Sequence, residues 1–313
     1  MIPGFRVGHA TDRQACTGCS VILCPERTVG GVDVRGSASG TREMDALSPL
    51  HLVPHVHAVL LAGGSAFGLD AAAGVMRYLE AQGVGFDVQV ARVPIVPAAI
   101  LFDLRVGNAE VRPDPQMAYA ACENASEDKI AEGSVGAGTG ASVGKLFGIE
   151  RAMKGGLGIA RLELPGGLRV GALAVVNAFG DVRDPRTGKL LAGARTGATD
   201  LRLADSLQAM RSGVVPLGYR PESTTLAVVA TNAQLGKTEA TKLAQMAQHG
   251  LVRTIAPVHT TLDGDLVIAL ASGEQSGNIN ALGVAAADAV AQAVVRAVTQ
   301  ATSLGGLPAW NAD

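Results

Sequence analysis

Short apolar runs set apart by glycine-rich turns, with two Ala-rich periodic stretches near the C-terminus, organise this chain. Residues 20–23 and 31–35 read as strands joined by a Pro-containing turn, and residues 58–62 as a strand. Small and apolar positions over 69–80 predict a closely packed helix, and residues 117–131 a second one ending before Gly133. Residues 168–176 and 224–232 are strand-like. Ala240, Leu243, Ala244, Met246 and Ala247 then recur at helical spacing over 237–249, with Gly250 placed to stop the helix. Residues 266–270 form another strand, and residues 280–300 a closing helix. Pro94 and Pro97 break the apolar stretch 94–104, which reads as the lining of a pocket or an interface.

Composition narrows the class. The chain has 313 residues, 48% hydrophobic and 17% charged, enough to bury one large core or two smaller ones. A net charge of -2 with interspersed signs offers no basic face for nucleic acid. The longest apolar region, residues 281–298, is interrupted by Asp288, Gln292 and Arg296 and reads as a buried or interface helix, with no membrane role. The N-terminus shows no basic region followed by an apolar run and a small-residue cleavage site, so a cytoplasmic location is expected.

Cys16-Thr-Gly-Cys19 has the spacing of half a zinc site or a redox pair, but a second ligand pair is missing, and Cys19 opens a strand as a small hydrophobe. His51, His55 and His57 lack the further ligand a metal centre needs. No metal or cofactor is expected. The glycine tract 133–145 fails as a P-loop, because Thr139 and Leu146 stand where glycine and Ser or Thr are required. As a dinucleotide fingerprint it lacks a preceding strand. What remains is a loop of backbone N–H groups ending in Lys145, suited to an oxyanion or to tuning a neighbouring amine.

Other positions carry two readings each. The turn Gly63-Gly-Ser-Ala-Phe-Gly68 is a connector, or a place to hold an anion or a carbonyl oxygen at a helix start. Asn177, at the end of its strand, caps a turn or donates to developing negative charge. Asp263-Gly-Asp265 is a hairpin turn, or a pair of inward carboxylates that holds an ammonium or shares a proton. Thr224 is a β-branched residue opening a strand, or a nucleophile. Were the bond after Ser223 cut, Thr224 would carry hydroxyl and amine, nucleophile and base, in one residue. The weakly patterned stretch 197–222 suits an exposed linker ahead of such a cut.

Several motifs in order, Val32-Asp-Val-Arg-Gly36, Gly40-Thr-Arg-Glu43, Gly63-Gly-Ser-Ala-Phe-Gly-Leu-Asp70, Val93-Pro-Ile-Val-Pro-Ala-Ala-Ile100, Gly136-Ala-Gly-Thr-Gly-Ala141, Thr224-Thr-Leu-Ala-Val-Val-Ala-Thr-Asn232, Pro257-Val-His-Thr260 and Asp263-Gly-Asp265, resemble those of the self-processing aminopeptidases. That family includes the L-aminopeptidase/D-esterases, the β-peptidyl aminopeptidases and the 6-aminohexanoate-oligomer hydrolases. The resemblance covers nearly the whole chain. It implies an α/β N-terminal-nucleophile hydrolase with four layers, αββα. It also implies a single domain over 1–313 that cuts itself between 223 and 224, and a homo-oligomer of four or more copies. By position, Thr224 matches the nucleophile, Lys145 a lysine beside it, Asn177 an oxyanion-side asparagine, and Asp263 and Asp265 the acidic pair that orients the nucleophile. Gly64, Ser65, Phe67 and Gly138 are the expected substrate-binding positions, with Phe67 where some members have a tyrosine. Ser223 departs from the asparagine or glycine frequent there, and its side chain is expected to be a bystander. The implied substrate is a peptide, β-peptide or linear oligoamide with a free amino end. Acyl transfer of the ornithine acetyltransferase type, or an uncut homologue with a binding role, are the competing readings.

Overall fold

Strands with apolar side chains on both faces are stable only where a layer covers each face. The computed structural model, which describes residues 1–216 and 222–312, meets that demand with two stacked sheets. Their strands are β1 (Arg6–Asp12), β2 (Thr17–Leu23), β3 (Val29–Val34), β4 (Gly40–Arg42), β5 (Ala58–Ala62), β6 (Ala98–Ile100), β7 (Gly156–Glu163), β8 (Arg169–Asn177), β9 (Thr224–Ala233) and β10 (Leu266–Gln275). The first sheet runs β1-β2-β5-β6-β4 and the second β7-β8-β9-β10-β3. Helices α1 (Ala72–Ala81) and α2 (Pro115–Glu123) pack on the first sheet, and α3 (Lys237–Thr254) and α4 (Ile279–Thr299) on the second. The result is the expected αββα stack.

Each interlayer space holds its own apolar core. Leu226 and Val228 of β9 point to the other sheet with Ile22, Leu61 and Leu173. Ala227 and Val229 point the opposite way, among Leu243, Leu251 and Val290 of the helices. This alternation explains why β9 reads as an unbroken apolar run. Strand β8 is antiparallel to β9 and sets Asn177 opposite Thr224. Strand β10 is parallel to β9 and sets Leu266 opposite Leu226. The end of β8 therefore meets the beginnings of β9 and β10 at one edge of the sheet.

Four expectations change. Strands β2 and β3 lie in different sheets, so the Pro25 segment crosses between layers instead of closing a hairpin. The apolar stretch 94–104 supplies β6, with Ala98 and Ile100 facing α1 and α2 and Ala99 facing the second sheet. Helix α2, capped by the Asp114 side chain and opened by Pro115, stops at Glu123. Beyond it, Ser126 exchanges backbone hydrogen bonds of 2.8 and 3.0 Å with Val7, so the edge of β1 draws the chain out of the helix. Finally, α3 runs through Gly250 to Thr254. A Cβ on Gly250 would stand 2.5 Å from the Ala287 carbonyl oxygen and 2.7 Å from Val290 Cβ, so this glycine marks where α3 and α4 touch.

That contact fixes the sign of a substitution. At an exposed helical position, Gly→Ala stabilises by up to about 1 kcal/mol. Gly250→Ala is expected instead to destabilise by roughly 1–3 kcal/mol, as overpacking does, read as a lower urea midpoint at unchanged slope.

Candidate active site

The edge where the three strand ends meet is polar, yet Ser223, Thr224, Asn177, Asp263 and Asp265 are all at most 3% exposed. Polar groups buried to this degree must find partners within the chain. Thr224 Oγ1 donates to the Ser223 carbonyl oxygen at 2.6 Å. The Gly264 N–H donates to the same oxygen at 2.8 Å. This is the carbonyl of the peptide bond before Thr224. Gly264 comes so close because Asp263 runs parallel to Ser223 and extends the β9–β10 pairing by one bridge. A Cβ at 264 would stand 2.6 Å from the Ala38 carbonyl oxygen and 2.8 Å from Thr224 Oγ1, leaving room for glycine alone.

Of the two readings of Asp263-Gly-Asp265, the inward pair is the one present. Asp265 Oδ1 accepts the Thr225 N–H at 2.6 Å, and its Oδ2 accepts the His259 N–H at 3.1 Å and lies 2.9 Å from His259 Nδ1. Asp263 Oδ1 accepts the Phe179 N–H at 3.1 Å, while Oδ2 takes the Thr260 hydroxyl at 2.6 Å and the Thr260 N–H at 3.2 Å. Asp265 thus braces the backbone just after the threonine, and Asp263 braces Phe179 and Thr260 beside it. Burial raises the Asp263 carboxyl to about 6, with the neighbouring Asp265 charge adding to the rise and the hydrogen bond from Thr260 opposing it.

Lys145 arrives from the glycine tract. Gly144, in the left-handed region at φ 76°, turns the chain, and the Gly144 and Lys145 N–H groups donate to the Gly180 and Phe179 carbonyls at 3.0 and 2.9 Å. The lysine Nζ then lies 2.7 Å from the Asn177 carbonyl oxygen, 2.9 Å from Asn177 Oδ1, 3.2 Å from the Glu222 carbonyl oxygen and 3.3 Å from Ser223 Oγ. Asn177 Oδ1 also accepts the Ser142 N–H at 3.0 Å, which leaves its Nδ2 to donate to the carbonyls of Phe102 at 3.0 Å and Glu222 at 3.3 Å. Burial lowers Lys145 to about 7, against the attraction of Asp263, Glu222 and Asp265. A lysine so placed gains and loses its proton near neutrality.

Lys145 and Ser223 line a cavity of about 270 Å³ with Phe147, Phe179 and Leu262. Arg105 and Glu222 lie at the same cavity, joined at 2.6 Å from Nε to Oε2. The four expected substrate positions are absent from this lining among the described residues. Phe67 is exposed, with the Arg112 guanidinium 3.7 Å above its ring. Gly64 and Ser65 sit behind the site: the Gly64 N–H donates to Asp103 Oδ1 at 2.7 Å, and the Ser65 N–H to the Leu101 carbonyl at 3.0 Å. Through the 101–103 segment this turn backs the Phe102 carbonyl that Asn177 holds. Gly138 is buried against β7, where a Cβ would stand 2.5 Å from the Leu157 nitrogen. Beside it, the fully buried Lys154 donates to the Thr139 and Ala141 carbonyls at 2.8 and 2.6 Å.

The sequence reading overlooked Gly264, His259 and Arg105. Pro257-Val-His-Thr260 was visible as a motif, and its two polar residues are the partners of the acidic pair. Of the linker expected at 197–222, residues 206–211 are helical and residues 217–221 lie outside the described residues.

Residues 2–309 match Peptidase family S58. An uncharacterized aminopeptidase of Mycobacterium tuberculosis is 42% identical over 99% of this chain and 95% of its own length. A 6-aminohexanoate-oligomer endohydrolase of Kocuria sp. is 30% identical over 94% of this chain and 84% of its own. Among solved structures, the L-aminopeptidase D-Ala-esterase/amidase of Ochrobactrum anthropi, described as a variant of the N-terminal-nucleophile hydrolase fold, superposes with a TM-score of 0.74 at 18% identity. That match covers 98% of this chain and 87% of the other. A β-aminopeptidase of Burkholderia sp. superposes at 0.67 with 23% identity, over 96% and 85%. Matched over residues 2–309 and to named aminopeptidase and oligoamide-hydrolase relatives over nearly its whole length, the chain belongs to Peptidase family S58 and is a hydrolase.

Proposed function

We propose that the chain cuts itself between Ser223 and Thr224 and then hydrolyses amide bonds with Thr224 as its nucleophile. The observation that carries this reading is the 2.6 Å contact from the Thr224 hydroxyl to the Ser223 carbonyl, an oxygen already held by the Gly264 N–H at 2.8 Å. Attack by Oγ1 on that carbonyl carbon breaks the peptide C–N bond and leaves an ester. The oxyanion formed on the way rests on the Gly264 N–H. Uncut, the chain has no α-amine at 224, and Lys145 is assigned to take the hydroxyl proton and pass it to the departing nitrogen. Water then splits the ester, freeing the Ser223 carboxylate and the Thr224 amine.

That amine, with an ordinary pKa of about 7.7–8.0, becomes the base for later turnovers. Oγ1 attacks a substrate carbonyl, the amine protonates the leaving nitrogen, and water releases the acid. Asn177 Nδ2, relieved of the Glu222 carbonyl, donates to the bound substrate. Peptides, β-peptides and linear oligoamides are the substrate classes in keeping with the named relatives.

Wild-type protein is expected as two fragments, 1–223 and 224–313, and Thr224→Ala as one intact chain of 31.7 kDa without amidase activity. Intact mass decides it, and a cut Thr224→Ala protein refutes the assignment. Gly264→Ala pushes a methyl against the hydroxyl and is expected to slow self-cleavage by roughly 10²-fold, the cost of a displacement of about 1 Å. Self-cleavage should quicken from pH 6 to 8 and level off, because neutral Lys145 is the working form and its pKa lies at about 7. Lys145→Met should remove that rise and slow the step by roughly 10²–10⁴-fold, measured as fragment appearance by gel across pH.

A further inference from the structure

The self-cleavage reading makes residues 222 and 223 the first substrate this site meets. Ser223 supplies the carbonyl under attack, and Glu222 is the residue before it. Glu222 is held at two points. Its carbonyl oxygen accepts from Lys145 Nζ at 3.2 Å and Asn177 Nδ2 at 3.3 Å, and its carboxylate pairs with Arg105 at 2.6 Å. Both side chains line the cavity that opens beside Ser223. The uncut chain therefore fills the acyl side of its own site, backbone and side chain together.

Cleavage turns Ser223 into a chain end, and an incoming acyl group must displace it. When it leaves, Glu222 leaves too, and Arg105 loses the carboxylate it holds. Glu222 is the partner that Arg105 has at salt-bridge distance among the described residues. Arg105 is 42% exposed, so the pair is weak enough to exchange. Arginine cannot discard its proton, so Arg105 stays charged, with Glu150 the carboxylate that remains at the cavity among the described residues.

Resting on the self-cleavage reading, we infer that Arg105 is a specificity-determining residue of the cut enzyme. It takes the carboxylate of an acidic residue one place upstream of the scissile carbonyl, where Glu222 lies before cleavage. The favoured substrates are then short acidic amides of the form Glu-Xaa-amide with Xaa small, which present to Lys145, Asn177 and Arg105 what the chain presents to itself.

The test uses fully cut wild-type protein and three anilides, Glu-Ser-, Gln-Ser- and Lys-Ser-p-nitroanilide, compared by kcat/KM. The expected order is Glu over Gln over Lys, with Glu ahead of Gln by about fivefold, the scale of a half-exposed ion pair. Arg105→Ala should level Glu and Gln, and Arg105→Glu should place Lys first. Equal rates for Glu and Gln in the wild type overturn the inference, as does a preference that survives in Arg105→Ala. The wild-type order stands as a readout alone if an Arg105 variant stays uncut. Cut protein that splits none of the three, nor Ser-p-nitroanilide, overturns the hydrolytic reading itself. Turnover of Ser-p-nitroanilide with no gain from an upstream Glu sinks the role of Arg105 alone.

Discussion

Strand β9 is buried on both faces and flanked by a strand on each side, so its first residues have little slack. The backbone groups at that end are satisfied by what the adjacent strand ends bring, while the buried Thr225 hydroxyl finds no partner among the described residues. The antiparallel partner brings Asn177, and the parallel partner brings Gly264 between two carboxylates. The Gly264 N–H on the Ser223 carbonyl follows from that demand. It is a structural hydrogen bond of an extended sheet and, on the same atoms, a donor aimed where negative charge would develop. The geometry at this peptide bond grows out of satisfying a buried strand terminus.

The electrostatics follow the same economy. Lys145 is wrapped by carbonyl oxygens, which suit an ammonium, yet buried deeply enough that the charge is barely tolerated. Asp263 is pushed the other way by burial and by Asp265. Burial thus draws a lysine down and a carboxyl up, each toward neutral pH. Neither shift needs a specialised environment beyond the depth of the β8–β9–β10 edge.

The layers were legible in the sequence wherever periodicity was strong: the apolar run of β9, the strand before Asn177, and helices α3 and α4. Features decided by distant contacts were not. Gly250 looks like a helix stop because its reason, the carbonyl of Ala287, lies on another helix. Residues 124–131 look helical until the edge of β1 claims Ser126. In the site, Asn177, Asp263 and Asp265 could be singled out because polar residues at strand ends stand out against apolar runs, and Lys145 because it closes the glycine tract. Gly264 could not, since a glycine between aspartates reads first as a turn. Arg105 and Glu222 could not either, because their meeting depends on a crossing that no local pattern marks.

Lys154 and the Arg105–Glu222 pair answer differently to the solution around them. The Lys154 Nζ is sealed among the carbonyls of Thr139 and Ala141, whereas the Lys145 amine meets Asn177, Glu222 and Ser223. Dissolved ions cannot enter there, so added electrolyte leaves that clasp intact while shielding the open Arg105–Glu222 pair within a Debye length of about 8 Å. Ionic strength thus acts on the Arg105–Glu222 pair at the cavity and leaves the Lys154 clasp beside the glycine tract untouched.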